Sequence, residues 1–227
     1  MQIRSRTLLG LSLAFLSLSA CGSSSDGASG LTSVDELLGW VERVYIDAEL
    51  SRQEVKTSLS GLQTIATKDF EGDPIAAFKG FSDSIVSSQE QAKKLRNSYD
   101  HMQRSATPVF ERWTDDLGQF SNQEIRRRSQ ERLDAARAKY DAVARAVGPL
   151  LSTYDRYNQG LKDYQLFLSN DFTTTSVDLM QKEADKLVEL ANEIDNRLDS
   201  TLKVAKAYIE TAELPTNLQK AAKPPSK

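Results

Sequence analysis

The chain has 227 residues, of which 39% are hydrophobic and 27% charged, and its formal net charge is −3. This composition supports the core of about one domain and excludes a body embedded in a membrane. The small acidic balance gives no sign of a nucleic-acid-binding protein. Only 11 Gly and 6 Pro occur, which favours an all-α protein with long helices.

The first twenty residues are predicted to be a secretory signal peptide. Arg4 and Arg6 form a positively charged start, and the apolar run LLGLSLAFLSL follows at residues 8–18. Eleven residues are too few to span a bilayer as a helix, but they are typical of a signal peptide.

The signal peptide ends in a motif that resembles the bacterial lipobox, formed by Leu18, Ser19, Ala20 and Cys21. The resemblance implies that Cys21 is acylated and becomes the first residue of the mature chain. Cys21 is the only cysteine, so a disulfide framework is excluded. By resemblance to lipoprotein sorting rules, Gly22 indicates an anchor in the outer membrane, facing the periplasm. An ordinary signal peptide followed by a chance cysteine is the alternative.

The mature chain is predicted to contain a tether, a helical region and a tail. Residues 21–32 comprise the lipid-bearing cysteine and a flexible segment rich in Gly and Ser. Pro215 stops the last helix, which leaves residues 214–227 as a disordered tail. Between them, the helical region at residues 33–213 is predicted to contain four helices, Ser33 to Lys68, Pro74 to Gln119, Asn122 to Leu168 and Ser176 to Glu213.

These helices are predicted from apolar and small residues that recur at alternating spacings of three and four. In the first helix this seam runs through Leu37, Val41, Val44, Ala48, Ser51, Val55, Ser58, Leu62 and Ile65. The seam keeps its phase through Pro108 and Pro149, so both are predicted to kink a helix and not to end it. Short connections then predict an elongated antiparallel four-helix coiled-coil bundle. Two long hairpins that complete their cores only in an oligomer are the alternative.

The second and third helices are predicted to extend beyond the other two. Counting outwards from the first loop brings Ser33 level with Val109, and counting from the third loop brings Glu213 level with Glu131. Residues 110–131, here called the tip, are therefore predicted to protrude as a bare hairpin about 16 Å long. The tip would lie at the end of the bundle closest to the membrane, because the first helix follows the lipid tether.

Large apolar and basic side chains are concentrated in the tip. A two-helix hairpin buries large side chains poorly, so apolar surface is expected to be exposed at Phe110, Trp113, Leu117, Phe120 and Ile125. Beside these residues lie Arg126, Arg127, Arg128 and Arg132. The candidate residues for contact with a partner or an anionic membrane are Trp113, Phe120, Arg126, Arg127 and Arg128. Alternatively, Trp113 and Phe120 belong to the seam, and the arginines pair with Asp115, Asp116, Glu124 and Glu131.

Two segments of the chain resemble a known family. FERWTDDLGQFSNQEIRRRSQERL, starting at Phe110, and YNQGLKDYQLFL at residues 157–168 are similar to an uncharacterised family of bacterial all-helical proteins, a domain of unknown function. The resemblance covers roughly Val44 to Ala212. It implies helical architecture and occurrence in the cell envelope, and it supplies no activity and no functional residue.

The sequence shows no pattern typical of an enzyme. No Cys/His cluster, glycine-rich phosphate loop or nucleophile elbow occurs. The single histidine, His101, lies between the seam residues Tyr99 and Met102 and is expected to point outwards. Asp116 is the only carboxylate on the seam. We therefore expect neither catalytic residues nor a metal or other cofactor.

Two functions fit these observations. The first is a non-enzymatic, lipid-anchored envelope protein that acts as a helical spacer or docking scaffold, with an unidentified protein or cell-wall partner. The second is a protein that binds or bends membranes through its basic, aromatic tip. The acidic fourth helix disfavours the broad basic face that membrane bending needs, so the first function is preferred.

Overall fold

The computed structural model describes residues 26–67 and 70–212. These residues form five helices, α1 Asp26–Ile65, α2 Pro74–Leu117, α3 Gln123–Asn170, α4 Thr174–Leu179 and α5 Gln181–Ala212. No strand occurs in the described part of the chain, so the prediction of an all-α protein is confirmed. The predicted signal peptide, the predicted lipid attachment residue Cys21 and the predicted tail at 214–227 lie outside the described residues.

Local chemistry accounts for where the second and third helices begin. The side chain of Asp73 accepts hydrogen bonds from two backbone N–H groups in the first turn of α2, and Pro74 occupies the first helical position. Asn122 plays the same part for α3, as its sequence predicted. Both helices run without interruption through Pro108 and Pro149, so neither proline ends a helix.

Each long helix packs against two others. α1 lies along α2 and α5, and α3 also lies along α2 and α5. Between α1 and α2, Ser105 donates a hydrogen bond to Glu36, and Ser98 donates one to Asp47. From Glu36 to Asp47 the residue number on α1 rises, whereas on α2 the partner changes from Ser105 back to Ser98. The two helices therefore run in opposite directions.

The predicted seam forms the core. All nine seam residues of α1, from Leu37 to Ile65, are buried. On α3, the large side chains of Tyr154, Tyr157 and Tyr164 are at most 1% exposed. Towards the tip, the seam pattern no longer predicts burial correctly, because the seam residues Asp116 and Phe120 are exposed.

The predicted start of the first helix is wrong by seven residues. α1 begins at Asp26, so residues 26–32 are helical and do not belong to a flexible tether. Adding turns to an existing helix costs far less than nucleating a new one. Local composition, with Gly27 and Gly30, therefore underestimated the length of this helix.

The predicted fourth helix is interrupted. It divides into α4 and α5 at Met180, whose φ of −93° and ψ of 3° depart from helical values. The N-cap of α4 is Thr173, not the predicted Ser176. Ser176 instead is buried and donates a hydrogen bond of 2.5 Å to Asp171. The aromatic ring of Phe172 packs against Phe78 of α2, so tertiary contacts hold α4 at this end of the molecule.

Candidate functional site

The hairpin between α2 and α3 places the predicted contact residues around one short connection. α2 ends at Leu117, and the backbone N–H of Gly118 donates to the carbonyls of Asp115 and Asp116. Residues 118–122 then reverse the chain, which leaves Phe120 38% exposed. Ile125, in the first turn of α3, is 50% exposed. These two side chains are the exposed apolar surface that the sequence predicted.

Trp113 lies on the inside of this hairpin. Its side chain is half-buried, and its indole N–H donates a 2.9 Å hydrogen bond to the hydroxyl of Ser129 on α3. A buried indole usually finds such a partner. Trp113 therefore joins the two helices of the tip, and only part of its ring is available to a partner.

Phe110 and Leu117 correct the prediction of a bare hairpin, since they are only 7% and 5% exposed. The ring of Phe110 packs against the ring of Tyr140, with 5.4 Å between the ring centroids. The guanidinium of Arg137 lies over the ring of Phe110, 5.4 Å from the ring centre. The early start of α1 also covers part of the hairpin that was predicted to be bare. Because Ser105 lies beside Glu36 in these antiparallel helices, the start of α1 lies level with about residue 115 of α2.

The side of the hairpin that faces α5 agrees better with the prediction. Thr153 of α3 donates a hydrogen bond to Glu193 of α5, and on that register Ala212 comes level with about residue 134. Residues 123–133 of α3 thus extend beyond the last described residue of α5. The overhang is shorter and more covered than the sequence predicted.

The three consecutive arginines differ in their partners. Arg127 forms ion pairs with Glu124 and Glu131, and Arg128 forms one with Glu124. The hydrogen bond from Arg127, followed by that from Arg128, lowers the pKa of Glu124 below its ordinary value. Arg126 is exposed and forms no ion pair within residues 26–67 and 70–212. Pairing with glutamates therefore accounts for two of the three arginines.

The charge of the tip and its surroundings remains positive. Eight basic and six acidic residues lie between positions 104 and 139, which gives this end a formal charge of +2. The basic residues are Arg104, Arg112, Arg126, Arg127, Arg128, Arg132, Arg137 and Lys139. Exposed Phe120 and Ile125 add apolar surface to this positively charged end.

Comparison with protein families identifies the chain. The family described as "Protein of unknown function (DUF2959)" matches residues 28–212. The chain belongs to this family. The resemblance predicted from the tip segment and from residues 157–168 is thus confirmed, and the DUF2959 match begins sixteen residues before the predicted start at Val44. No curated protein and no solved structure matched the chain.

The DUF2959 fold also contains a polar cluster in its core that the sequence did not predict. Asp47 of α1 is 5% exposed, and its carboxylate accepts a 2.5 Å hydrogen bond from Ser98 of α2. The backbone carbonyl of Asp47 accepts hydrogen bonds from Ser51 and from the amide of Gln91. Asp47 precedes the seam residue Ala48, and three small polar residues interrupt the seams nearby, Ser51, Ser58 and Ser88. These polar interruptions of the apolar seams were the sequence signal that could have indicated a polar cluster in the core.

The polar cluster continues towards α3. Ser88 donates a 2.7 Å hydrogen bond to the side-chain carbonyl of Asn158, and the hydroxyl of Tyr154 lies 3.3 Å from the hydroxyl of Ser88. The hydroxyls of Ser58 and Tyr157 lie 3.0 Å apart. Burial raises the pKa of Tyr154 to about 12. These groups bond to one another across three helices, so the cluster fixes how the helices pair.

The single histidine of this DUF2959 protein lies on the surface. His101 is exposed, as predicted, and its ring stacks on Trp40 with 4.2 Å between centroids. The described residues hold no group of His, Cys, Asp and Glu side chains suited to a metal ion. Within the same residues, no helix has the length and hydropathy needed to cross a bilayer.

Proposed function

We propose that the chain is a lipid-anchored helical rod of the bacterial cell envelope, which serves as a spacer or docking scaffold without catalytic activity. Its anchor is the acylated Cys21, in the outer membrane and facing the periplasm. One observation carries the proposal. α1 begins five residues after Cys21, and the 44 residues of α2 make a helix about 66 Å long.

This geometry separates the two ends of the molecule. Five residues reach at most about 17 Å when extended, so the start of α1 stays close to the lipid. The connection between α1 and α2 lies at the other end of the helices, and a stiff rod holds it away from the bilayer. A protein with this shape suits the task of setting a distance or presenting a docking end.

The proposed architecture is one elongated antiparallel bundle, in which α4 and α5 together act as the fourth helix. Support comes from paired contacts along α2 and α3, where Phe81 packs on Tyr164 and Phe110 packs on Tyr140. The nine seam residues of α1 are already buried within a single chain. That burial favours a bundle complete in one chain over hairpins that need a second copy.

The absence of catalysis is also part of the proposal, and the core supports it. The buried carboxylate of Asp47 is paired with Ser98, and the hydroxyls of Tyr154 and Tyr157 are paired with serines. Groups that hydrogen-bond to each other inside a packed core stabilise its geometry. They do not face a cleft where a substrate would meet them.

Metabolic labelling with an alkyne analogue of palmitate tests the anchor. We expect the full chain to incorporate the label and to float with membranes in a density gradient, and Cys21→Ala to lose both properties. Ser24→Ala, three residues further on, is the control and should behave like the unchanged chain. Absence of label from the unchanged chain, or its persistence in Cys21→Ala, would refute the lipid anchor.

Crosslinking in cells tests the scaffold. Photoreactive residues are placed at Trp113 near the tip, at the exposed Ile75 at the opposite end, and for comparison at the exposed Lys93 in the middle of α2. A scaffold meets its neighbours at its ends, so we expect specific adducts from position 75 or position 113 and few from position 93. If neither end yields an adduct with a protein or with cell-wall material, the scaffold proposal fails.

Membrane contact through the tip is the second candidate function, and the exposure of Phe120 and Ile125 beside Arg126 favours it. Its test uses vesicles that contain phosphatidylglycerol and a lipid-free chain that starts at residue 26. Reversing the charges of Arg126, Arg127 and Arg128 to Glu should abolish salt-sensitive binding. A control with Lys93→Glu and Lys94→Glu should bind normally. Equal binding by both variants would exclude this function.

A further inference from the structure

The end of the rod opposite the tip has the most exposed apolar side chains of the described chain. We call it the acidic end and define it as residues 70–83 and 162–183. Ile75, Leu179 and Leu166 are 82%, 69% and 65% exposed, more than any other large hydrophobic residue that the structure describes. Ile75 opens α2, Leu179 ends α4 and Leu166 lies in the last turn and a half of α3. Scattered single residues of this kind need no explanation, but a cluster at one end often marks an interaction site.

A cleft opens between these elements. It has a volume of about 140 Å³, and its apolar lining includes Ile65 at the end of α1, Phe70, Phe172 and Val177. A dry cavity of about this size can hold a benzene molecule. The cleft therefore has room for one bulky apolar side chain. Pro74 and the threonines at positions 67, 173 and 174 form the rest of its wall.

The charges around the cleft are mostly negative. The acidic end contains seven carboxylates and three lysines, which gives it a formal charge of −4. The carboxylates belong to Glu71, Asp73, Asp83, Asp163, Asp171, Asp178 and Glu183. All seven residues are exposed. Residues 57–67, which comprise the last part of α1 and the two residues after it, contribute no charge to this end.

We propose that the acidic end is a docking surface for a partner protein segment that combines basic side chains with one bulky apolar side chain. The apolar side chain enters the cleft, and the basic groups lie against the surrounding carboxylates. This inference rests on the proposed function and names the end of the spacer that docks. It also explains why apolar side chains are exposed here and are not buried in the core.

Charge and geometry favour a partner over a second copy. A symmetric contact between two acidic ends would bring like charges together, which costs free energy. The basic tip has the opposite charge, but in the proposed arrangement it lies beside the lipid anchor. A second copy in the same membrane would hold its tip about 66 Å from the acidic end of the first, so the two could not meet.

A defined peptide tests the docking surface. The probe is a helical Lys/Leu peptide with one photoreactive leucine analogue, and its comparators are a Glu/Leu peptide and a Lys/Ser peptide of the same length. The full chain is held in phosphatidylcholine nanodiscs, with empty nanodiscs as the blank. We expect only the Lys/Leu peptide to bind and to form crosslinks near the cleft, because it alone supplies both basic and apolar groups.

Matched variants locate the binding. Ile75→Lys combined with Leu179→Lys should weaken binding at least tenfold, and Thr174→Trp, which fills the cleft, should remove the crosslinks. Ile46→Lys combined with Leu50→Lys is the control. It changes two exposed apolar residues of the same types on the middle of α1 and should leave the affinity unchanged.

Three outcomes would overturn the proposal. They are equal binding of the Glu/Leu peptide, equal weakening in the control variant, and crosslinks spread along α5. Self-association that is lost in Ile75→Lys with Leu179→Lys would assign this end to a second copy instead, and it also overturns the proposal. The lipid anchor is tested separately by palmitate labelling at Cys21. If that labelling fails, the same peptides are measured against the full chain in solution, so the anchor and the docking surface can fail independently.

Discussion

Ser98 of α2 donates a 2.5 Å hydrogen bond to the carboxylate of Asp47 on α1, and both residues are about 95% buried. A buried charge without a partner is strongly unfavourable, so any slip of one helix along the other would break this pair at a high cost. A single polar residue in a coiled-coil core fixes register in the same way. The pair therefore specifies how α1 and α2 align, at some expense of stability.

Replacing Ser98 with alanine tests this relationship. The substitution leaves the Asp47 carboxylate buried without its hydroxyl donor, and we expect the free energy of unfolding to fall by about 1–3 kcal/mol. Urea denaturation at pH 7 measures the change. In Asp47→Ala combined with Ser98→Ala, the loss should be smaller than the sum of the two single losses, because the residues interact directly.

Ser87→Ala is the matched control, since Ser87 is an exposed serine on the same helix. Its effect should stay within about 0.5 kcal/mol. If Ser98→Ala is equally harmless, the pair does not hold the register.

The contrast between Asp47 and its neighbour Ala48 shows what sequence periodicity can predict. The spacing of three and four identified Ala48 and the rest of the α1 seam, because burial along a helix repeats with the helical period. It could not identify Asp47, which flanks the seam. A flanking residue is buried only if a neighbouring helix covers that side, and here Gln91 and Ser98 of α2 do so.

Alkaline pH should destabilise the fold through its buried tyrosines. Burial raises the pKa of Tyr154 to about 12, whereas an unfolded tyrosine titrates near pH 10. Above pH 10 the unfolded state loses a proton that the folded state retains. The contribution of Tyr154 is therefore complete below pH 10 and declines by about 1.4 kcal/mol for each pH unit up to 12.

Tyr154→Phe isolates this contribution. Urea denaturation of the unchanged chain and of the variant at pH 9, 10 and 11 gives the two pH dependences. Between pH 10 and 11, where the unfolded tyrosine goes from half to almost fully ionised, we expect the variant to lose about 1 kcal/mol less than the unchanged chain. Identical losses would show that Tyr154 ionises as readily in the fold as in the unfolded chain.

Pro108→Ala should stabilise the protein. α2 continues through Pro108, although an interior proline lacks the N–H of the helical hydrogen bond and costs about 3 kcal/mol relative to alanine. The side chain of Pro108 is exposed, so its removal sacrifices little packing. Thermal unfolding should show a higher midpoint, and a lower one would mean that the surrounding packing depends on the bend at this proline.

Only part of the candidate tip could be predicted from its sequence. The exposure of Phe120 and Ile125 follows from their place at the turn, which local sequence identifies. The burial of Phe110 depends on Tyr140 and Arg137, which lie thirty and twenty-seven residues further along the chain. Counting residues along a hairpin gives the level of a contact and cannot give the direction of a side chain.

At Gly160, the side chain of Leu187 on α5 packs directly against the backbone of α3. A Cβ atom at this position would lie 2.6 Å from Cδ2 of Leu187, a buried residue of α5. In Gly160→Ala, the gain in helix propensity of about 1 kcal/mol is opposed by an overpacking cost of about 1–3 kcal/mol. We expect a net loss of stability in urea denaturation.

Gly80→Ala provides the matched comparison on α2. No atom lies within 4 Å of the Cβ that this substitution adds, so only the helix propensity changes, and stability should rise by about 1 kcal/mol. Opposite signs for the two variants would show that close packing between α3 and α5 accounts for Gly160. If Gly160→Ala stabilises the protein as much as Gly80→Ala does, Leu187 adopts another rotamer at no cost and the contact does not constrain the spacing of the two helices.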